Sequence, residues 1–305
     1  MPSRALYSCY DFRLSSELLL GELTPAGEGE TTPVVEIRMG SLPERLAGSA
    51  AEGQLQVAGA DALLTIDAIG RFLMRGGREI VVDPAPGVSE RNLRLFLLGS
   101  ALGIICHQRG LLPLHANAVI IGGAAVAFAG PSGSGKSTLA AYFARSGYPV
   151  LCDDVCVVSF DEAGQAHAWP GLPRLKLWSE AAAAFGHDPT ALERVMDGQD
   201  KFHVPLARAG QPQPVPLRRI YLLTKAGSGE PGGMSRLRGH QAMTALMEQT
   251  YRDACLAPMG LAGQNFRHCA ALLDQVEIWE ARRAWGYDVF AEEVRLLEEH
   301  LLASA

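Results

Sequence analysis

The sequence predicts an α/β chain in which a β-rich N-terminal segment, residues 1–88, precedes a strand–loop–helix core over residues 89–305. Three observations lead there. Period-two alternation and glycine turns run through the first part of the chain. From Leu111 the pattern changes to strand, loop, helix, strand. Between an apolar run and an amphipathic helix lies GPSGSGKST, Gly130 to Thr138.

In the N-terminal segment VVEIRMG (Val34 to Gly40), GQLQVAG (Gly53 to Gly59) and ALLTIDAIG (Ala62 to Gly70) read as strands between glycines. RFLMRGGREIVVD (Arg71 to Asp83) reads as a hairpin turning at Gly76-Gly77. Gly27 to Pro33 (GEGETTP) reads as a loop. Pro84 to Gly87 break the pattern, and Ser89 is a candidate N-cap for a helix that carries the apolar run Leu95 to Cys106. Two arrangements stay open: a separate small β domain, or strands that extend the sheet of the second part. The C-terminal third predicts a strand at Arg218 to Thr224, helices within Gln241 to Leu273, a strand at Val276 to Arg282 and a final helix near Val289 to Leu302.

Composition excludes several classes. With 48% hydrophobic and 20% charged residues the chain is globular rather than disordered. A net charge of −6, and only four lysines (Lys136, Lys176, Lys201, Lys225), argue against nucleic-acid binding. The longest apolar run is too short to span a bilayer, and the N-terminus lacks a secretory pattern, so no membrane role and a cytoplasmic location are expected. Six scattered cysteines, at 9, 106, 152, 156, 255 and 269, form no CxxC pair and are expected to be reduced and buried.

GPSGSGKST fits the P-loop pattern G-x-x-x-x-G-K-[ST], Walker A. Gly130, Gly133 and Gly135 permit backbone angles that turn amide N–H groups, with those of Ser132, Ser134 and Thr138, toward phosphate oxygens. The following helix presents its positive end to the same anion. Lys136 would meet the β and γ phosphates, and Ser137 would offer its hydroxyl to Mg²⁺, so ATP and Mg²⁺ are the expected ligands. Flanking AAVAFAG (Ala124 to Gly130) and STLAAYFARSG supply the strand and helix that the motif requires.

After that helix YPVLCDD ends in Asp153 and Asp154, with only sixteen residues between Lys136 and Asp153. A right-handed crossover is expected to bring this strand beside the phosphate-loop strand. The pair would then hold Mg²⁺ and accept a hydroxyl proton, or alternatively make a turn or helix cap. Upstream, His115 in LLPLHANAVIIGG faces the acidic pair if that run folds back on the loop strand; a structural role is the alternative.

His115, GPSGSGKST and Asp153-Asp154 together resemble the catalytic domain of bacterial HPr kinase/phosphorylase, whose P-loop core is phosphoenolpyruvate-carboxykinase-like. The match is closest to shorter, divergent relatives such as lasso-peptide tailoring kinases, similar also in PGLPRLKLW (Pro170 to Trp178) and PVPLRRIYLL (Pro214 to Leu223). The resemblance implies Lys136 and Ser137 for phosphate and Mg²⁺, Asp153 as the base, Asp154 supporting the metal, and His115 as their partner. It also implies a homo-oligomer, as HPr kinases are hexameric. His167, Ala168 and Trp169 stand where the family has an acidic residue, so the resemblance leaves HPr recognition and phosphorolysis open. Lys201, Arg218 and Arg219 are candidates to balance the charge of a transferred phosphoryl group.

The expected activity is ATP-dependent phosphorylation of a serine hydroxyl on a peptide or small protein, such as a lasso precursor. The rival readings are a nucleotide-binding regulator or weak ATPase in a biosynthetic complex, and a small-molecule hydroxyl kinase.

Overall fold

A computed structural model describes residues 4–27, 34–49, 53–206, 213–227, 232–284 and 286–303. Of the loop predicted at Gly27 to Pro33, residues 28–33 lie outside the described residues. The chain is mixed α/β with several sheets, and it divides into two compact units.

The first unit comprises residues 1–113, 193–201 and 251–266. Its strands are β1 (Ala5–Cys9), β2 (Phe12–Ser16), β3 (Val34–Met39), β4 (Leu55–Ala58), β5 (Asp61–Ile66), β6 (Gly70–Arg75) and β7 (Glu79–Pro84). They form a seven-stranded sheet of their own, in the order β1-β2-β3-β7-β6-β5-β4. The β6–β7 hairpin turns at Gly76 and Gly77, with φ of 51° and 69°. Positive φ at both turn positions matches the right-handed twist of the flanking strands and selects glycine.

Helix α1 (Glu90–Phe96) starts at Ser89, whose Oγ accepts from Asn92 N at 3.3 Å. Instead of one continuous helix, a π-helical turn (Leu97–Ala101) separates α1 from α2 (Leu102–Gln108). All of Leu97 to His107 is buried, and the segment packs on β6. Gln108 ties its end to the hairpin, accepting from Gly77 N and donating to Ala60 O, both at 2.8 Å. These contacts carry the first unit past the residue-88 boundary read from the sequence. Pro84 to Gly87 turn the chain, but the apolar helix covers the sheet that precedes it.

The second unit comprises residues 114–192, 202–250 and 267–305. After the short β8 (Leu112–Leu114), β9 (Ala116–Ile121) and β10 (Ala124–Ala129) form a hairpin. Helix α3 is Lys136–Arg145, followed by β11 (Val150–Cys152), β12 (Cys156–Phe160), β13 (Ala166–Ala168), β14 (Arg174–Trp178) and α4 (Ser179–Ala184); β15 (Glu193–Arg194) belongs to the first unit, and β16 (Lys201–Pro205) returns the chain to the second. The remainder is β17 (Val215–Lys225), β18 (Gly233–Arg236), α5 (Gly239–Met247), α6 (Ala262–Leu273), β19 (Glu277–Arg283) and α7 (Tyr287–Ala303).

The central sheet runs β11-β9-β10-β17-β13-β12, with β19 also on β17. β10, β17 and β19 are mutually parallel, so their carboxyl ends share one edge. Every residue of β10 is buried, the reading of a near-continuous apolar run that is covered on both faces. Phe128 of β10 stacks on Phe143 of α3 with ring centroids 5.5 Å apart, and both are fully buried. That pair fixes α3, and with it the Gly130–Thr138 loop, on the sheet, and contributes about 1 kcal/mol beyond its burial.

Candidate functional site

The loop between β10 and α3 takes its shape from glycines at special backbone angles. Gly130 has φ of 144°, and a Cβ there would lie 2.8 Å from the Leu223 carbonyl oxygen of neighbouring β17. Gly130→Ala is therefore expected to destabilise the protein by roughly 1–3 kcal/mol, read as a lower denaturant midpoint. Gly133 and Gly135 both have φ of 83°. Gly135 is the N-cap of α3 and offers no capping side chain, so the first-turn N–H groups remain donors for an anion.

Lys136 is buried, and its Nζ donates to Gly130 O at 2.7 Å and Pro131 O at 3.0 Å. The ammonium is thus held across the loop. Asn117 of β9 donates from Nδ2 to Lys136 O, which pins the start of α3 to the sheet. Ser132 is exposed, whereas Ser134 is buried and its Oγ has no partner among the described residues.

Asp153 follows β11 and touches the loop directly. Ser137 Oγ donates to its Oδ1 at 2.8 Å, and Lys176 N donates to its Oδ2 at 2.8 Å. Burial pushes the Asp153 carboxyl above the usual range, and the Asp154 charge adds to this; Lys176 and Ser137 oppose it. Asp154 has φ of 73°, and Val155 N donates to Asp153 O across it at 2.9 Å. Such a strained three-residue turn persists where surrounding contacts fix it. Here Lys176 Nζ donates to Asp154 Oδ2 at 2.7 Å. His115 Nδ1 lies 3.1 Å from Asp154 O and 3.7 Å from Asp154 Oδ1.

His115, Lys136, Ser137, Asp153 and Asp154 therefore meet at one edge of one unit. His115 arrives there through register: Ala116 pairs with Ala129, which sets His115 opposite Gly130. One expectation needs correction. The strand that carries the acids does not lie beside the phosphate-loop strand; β9 stands between them, with β11 antiparallel to β9. The tight turn at Gly122-Gly123, with φ of 58° and 79°, folds β9 onto that flank of β10 before β11 can reach it.

Two of the three candidate cations lie away from the acids: Arg219 is held by Glu277 at 2.8 Å and by the Leu301 carbonyl, and Arg218 is exposed beside the Gly122-Gly123 turn at the far end of the sheet. Lys201 opens β16. The cation at the acids is Lys176, from PGLPRLKLW. Its signal was the alternation in β14, where Leu175 and Leu177 are buried and Lys176 points the other way. Asn117, a lone amide in an apolar run, was legible in the same sense. Arg283 was missed because the strand was read as ending one residue early.

The family described as SynChlorMet cassette protein ScmC matches residues 87–185, a span that includes the loop and both aspartates. A comparison with curated proteins found no match. Among solved structures, the Hpr(Ser) kinase/phosphatase from Coxiella burnetii is similar over 63% of this chain and 99% of that one, at 12% identity and a TM-score of 0.31.

The residues present fit a magnesium nucleotide. The glycine angles, the free helix start, Lys136 and the unpartnered Ser134 Oγ suit a polyphosphate. Ser137, Asp153 and Asp154 are hard oxygen donors, and Mg²⁺ takes one or two carboxylates and completes its shell from phosphates and water. Among the described residues no helix is long and apolar enough to cross a membrane.

Proposed function

We propose that the chain is an ATP-dependent kinase that phosphorylates a serine hydroxyl on a peptide or small protein. The observation that carries this reading is the 2.8 Å hydrogen bond from Ser137 of the loop to Asp153, a carboxylate whose proton affinity is raised by burial. Such a group can take the proton of an acceptor hydroxyl, a step that a site only holding nucleotide does not require.

In this reading the loop amides and Lys136 hold the β and γ phosphates in line with the acceptor. Ser137 and Asp154 would hold Mg²⁺, which would neutralise charge on the transferring group when bound. The acceptor oxygen bonds to the γ phosphorus as the bridge to the β phosphate breaks, and Asp153 takes the hydroxyl proton. Lys176 holds Asp154 and the backbone around Asp153 in place, and His115 braces the Asp154 turn. The cassette in the family description supports an acceptor made in the same biosynthetic setting, such as a precursor peptide encoded nearby.

Terminally labelled ATP, offered with serine-bearing peptides from neighbouring reading frames, tests the proposal. Label on a peptide serine is the expected result. Label released only as free phosphate with every peptide would contradict it.

A pH profile tests the base separately. Asp153 must be ionised to act, so kcat/KM should rise with pH through a limb above the ordinary carboxylate range. Lys176→Met keeps the backbone N–H but removes the ammonium that favours the ionised form. The acid limb should then move to still higher pH; an unmoved limb would remove Asp153 as its source.

A further inference from the structure

None of Ser137, Asp153 and Asp154 lines the cavity that opens elsewhere on the phosphate loop. There Gly133 to Gly135 and Thr138 face Arg283, Phe290 and Glu293 across a space of about 180 Å³. Ser137 and Thr138 are consecutive on α3 and so project about 100° apart. The loop therefore has two working sides, one toward the aspartates and one toward the start of α7.

Arg283 closes β19 at the shared carboxyl edge, paired in register with Lys225. It is only 3% exposed. Its Nη2 donates to Ser134 O at 3.3 Å, while Nε and Nη1 are buried with no partner among the described residues. Ser134 Oγ beside it is in the same condition. A buried guanidinium with two nitrogens whose hydrogen bonds are unmade is costly, and burial pulls its pKa down against the opposing charge of Glu293. An anion at the loop relieves that cost. Glu293 and Phe290 add what an inorganic anion has no use for: a carboxylate acceptor and an aromatic ring. The ring is braced edge-on by Tyr142 at 6.1 Å and Phe185 at 6.2 Å between centroids.

We propose that this cavity takes the nucleoside end of a nucleoside triphosphate, an assignment that rests on the nucleotide-binding reading above. Arg283 and Ser134 Oγ donate to the phosphate nearest the ribose, Glu293 accepts from the ribose hydroxyls, and the base lies against Phe290. The triphosphate then runs from Thr138 to Ser137, ending where Asp153 meets the acceptor.

Calorimetric titration with Mg-ATP and with Mg-tripolyphosphate, which lacks a nucleoside, tests the assignment. Wild-type protein should bind ATP more tightly than tripolyphosphate. In Glu293→Gln and in Phe290→Ala the ratio of the two affinities should fall about tenfold, with tripolyphosphate still bound. Arg283→Met should weaken both ligands. The ratio cancels any general change in charge at the site, and retained tripolyphosphate binding shows that a variant is folded. If ATP keeps its advantage in Glu293→Gln, the nucleoside lies elsewhere and the assignment is overturned. If wild-type protein binds neither compound, the phosphate-loop reading itself fails.

Discussion

Replacing Lys136 with alanine is expected to remove nearly all stabilisation of the protein by ATP. A charge-assisted contact between an ammonium and phosphate oxygens contributes about 1.5–3 kcal/mol, or roughly ten- to a hundredfold in affinity. With ATP at a hundred times its Kd, wild-type protein gains about 2.7 kcal/mol, several degrees in Tm; a hundredfold weaker variant gains about 0.4 kcal/mol. Transfer should fall further, by roughly 10²–10³, because the same charge meets the γ-phosphoryl group as it moves. Lys136 Nζ also joins the Gly130 and Pro131 carbonyls, so the variant is expected to melt lower even without ligand. The quantity to compare is therefore the shift on adding ATP, measured for each protein against itself. A full shift in Lys136→Ala would overturn the reading of the loop.

Asp153→Asn should separate binding from chemistry. The amide keeps one acceptor and nearly the same volume, so the Ser137 hydroxyl or the Lys176 N–H retains its partner and the other loses it. That loss, and a weaker hold on Mg²⁺, should cost ATP affinity only a few fold. Removing a positioned proton acceptor costs typically 10²–10⁴ in rate. Transfer should drop by about that factor while the ATP-induced thermal shift persists. The low end of the range is the more telling, since phosphoryl transfer demands little proton removal early in the reaction.

The parts of this site legible in the sequence are those whose geometry is written locally. Gly130, Gly133 and Gly135 each need a backbone angle that glycine supplies, and Lys136, Ser137 and Thr138 follow on the first turn of one helix. The closeness of Asp153 to the loop was legible too, because one short helix leaves the chain little room to wander. What failed was pairing. Nothing local says that β9 takes the flank of β10 and leaves β11 one strand further out. Lys176 carried only the alternation of β14 as a signal, and Arg283, one residue past the strand read from the sequence, reaches the loop only through the pairing of β19 far along the chain. The return of residues 193–201 and 251–266 to the first unit is of the same kind, since no Pro/Gly-rich linker marks either excursion.

The most direct measurement follows the label from terminally labelled ATP in a single turnover, with wild-type protein and Asp153→Asn side by side on the same serine peptide. Labelled peptide is expected with wild-type protein, and a rate lower by at least about a hundredfold with Asp153→Asn although ATP is still bound. Equal rates of peptide labelling in the two proteins would contradict this expectation.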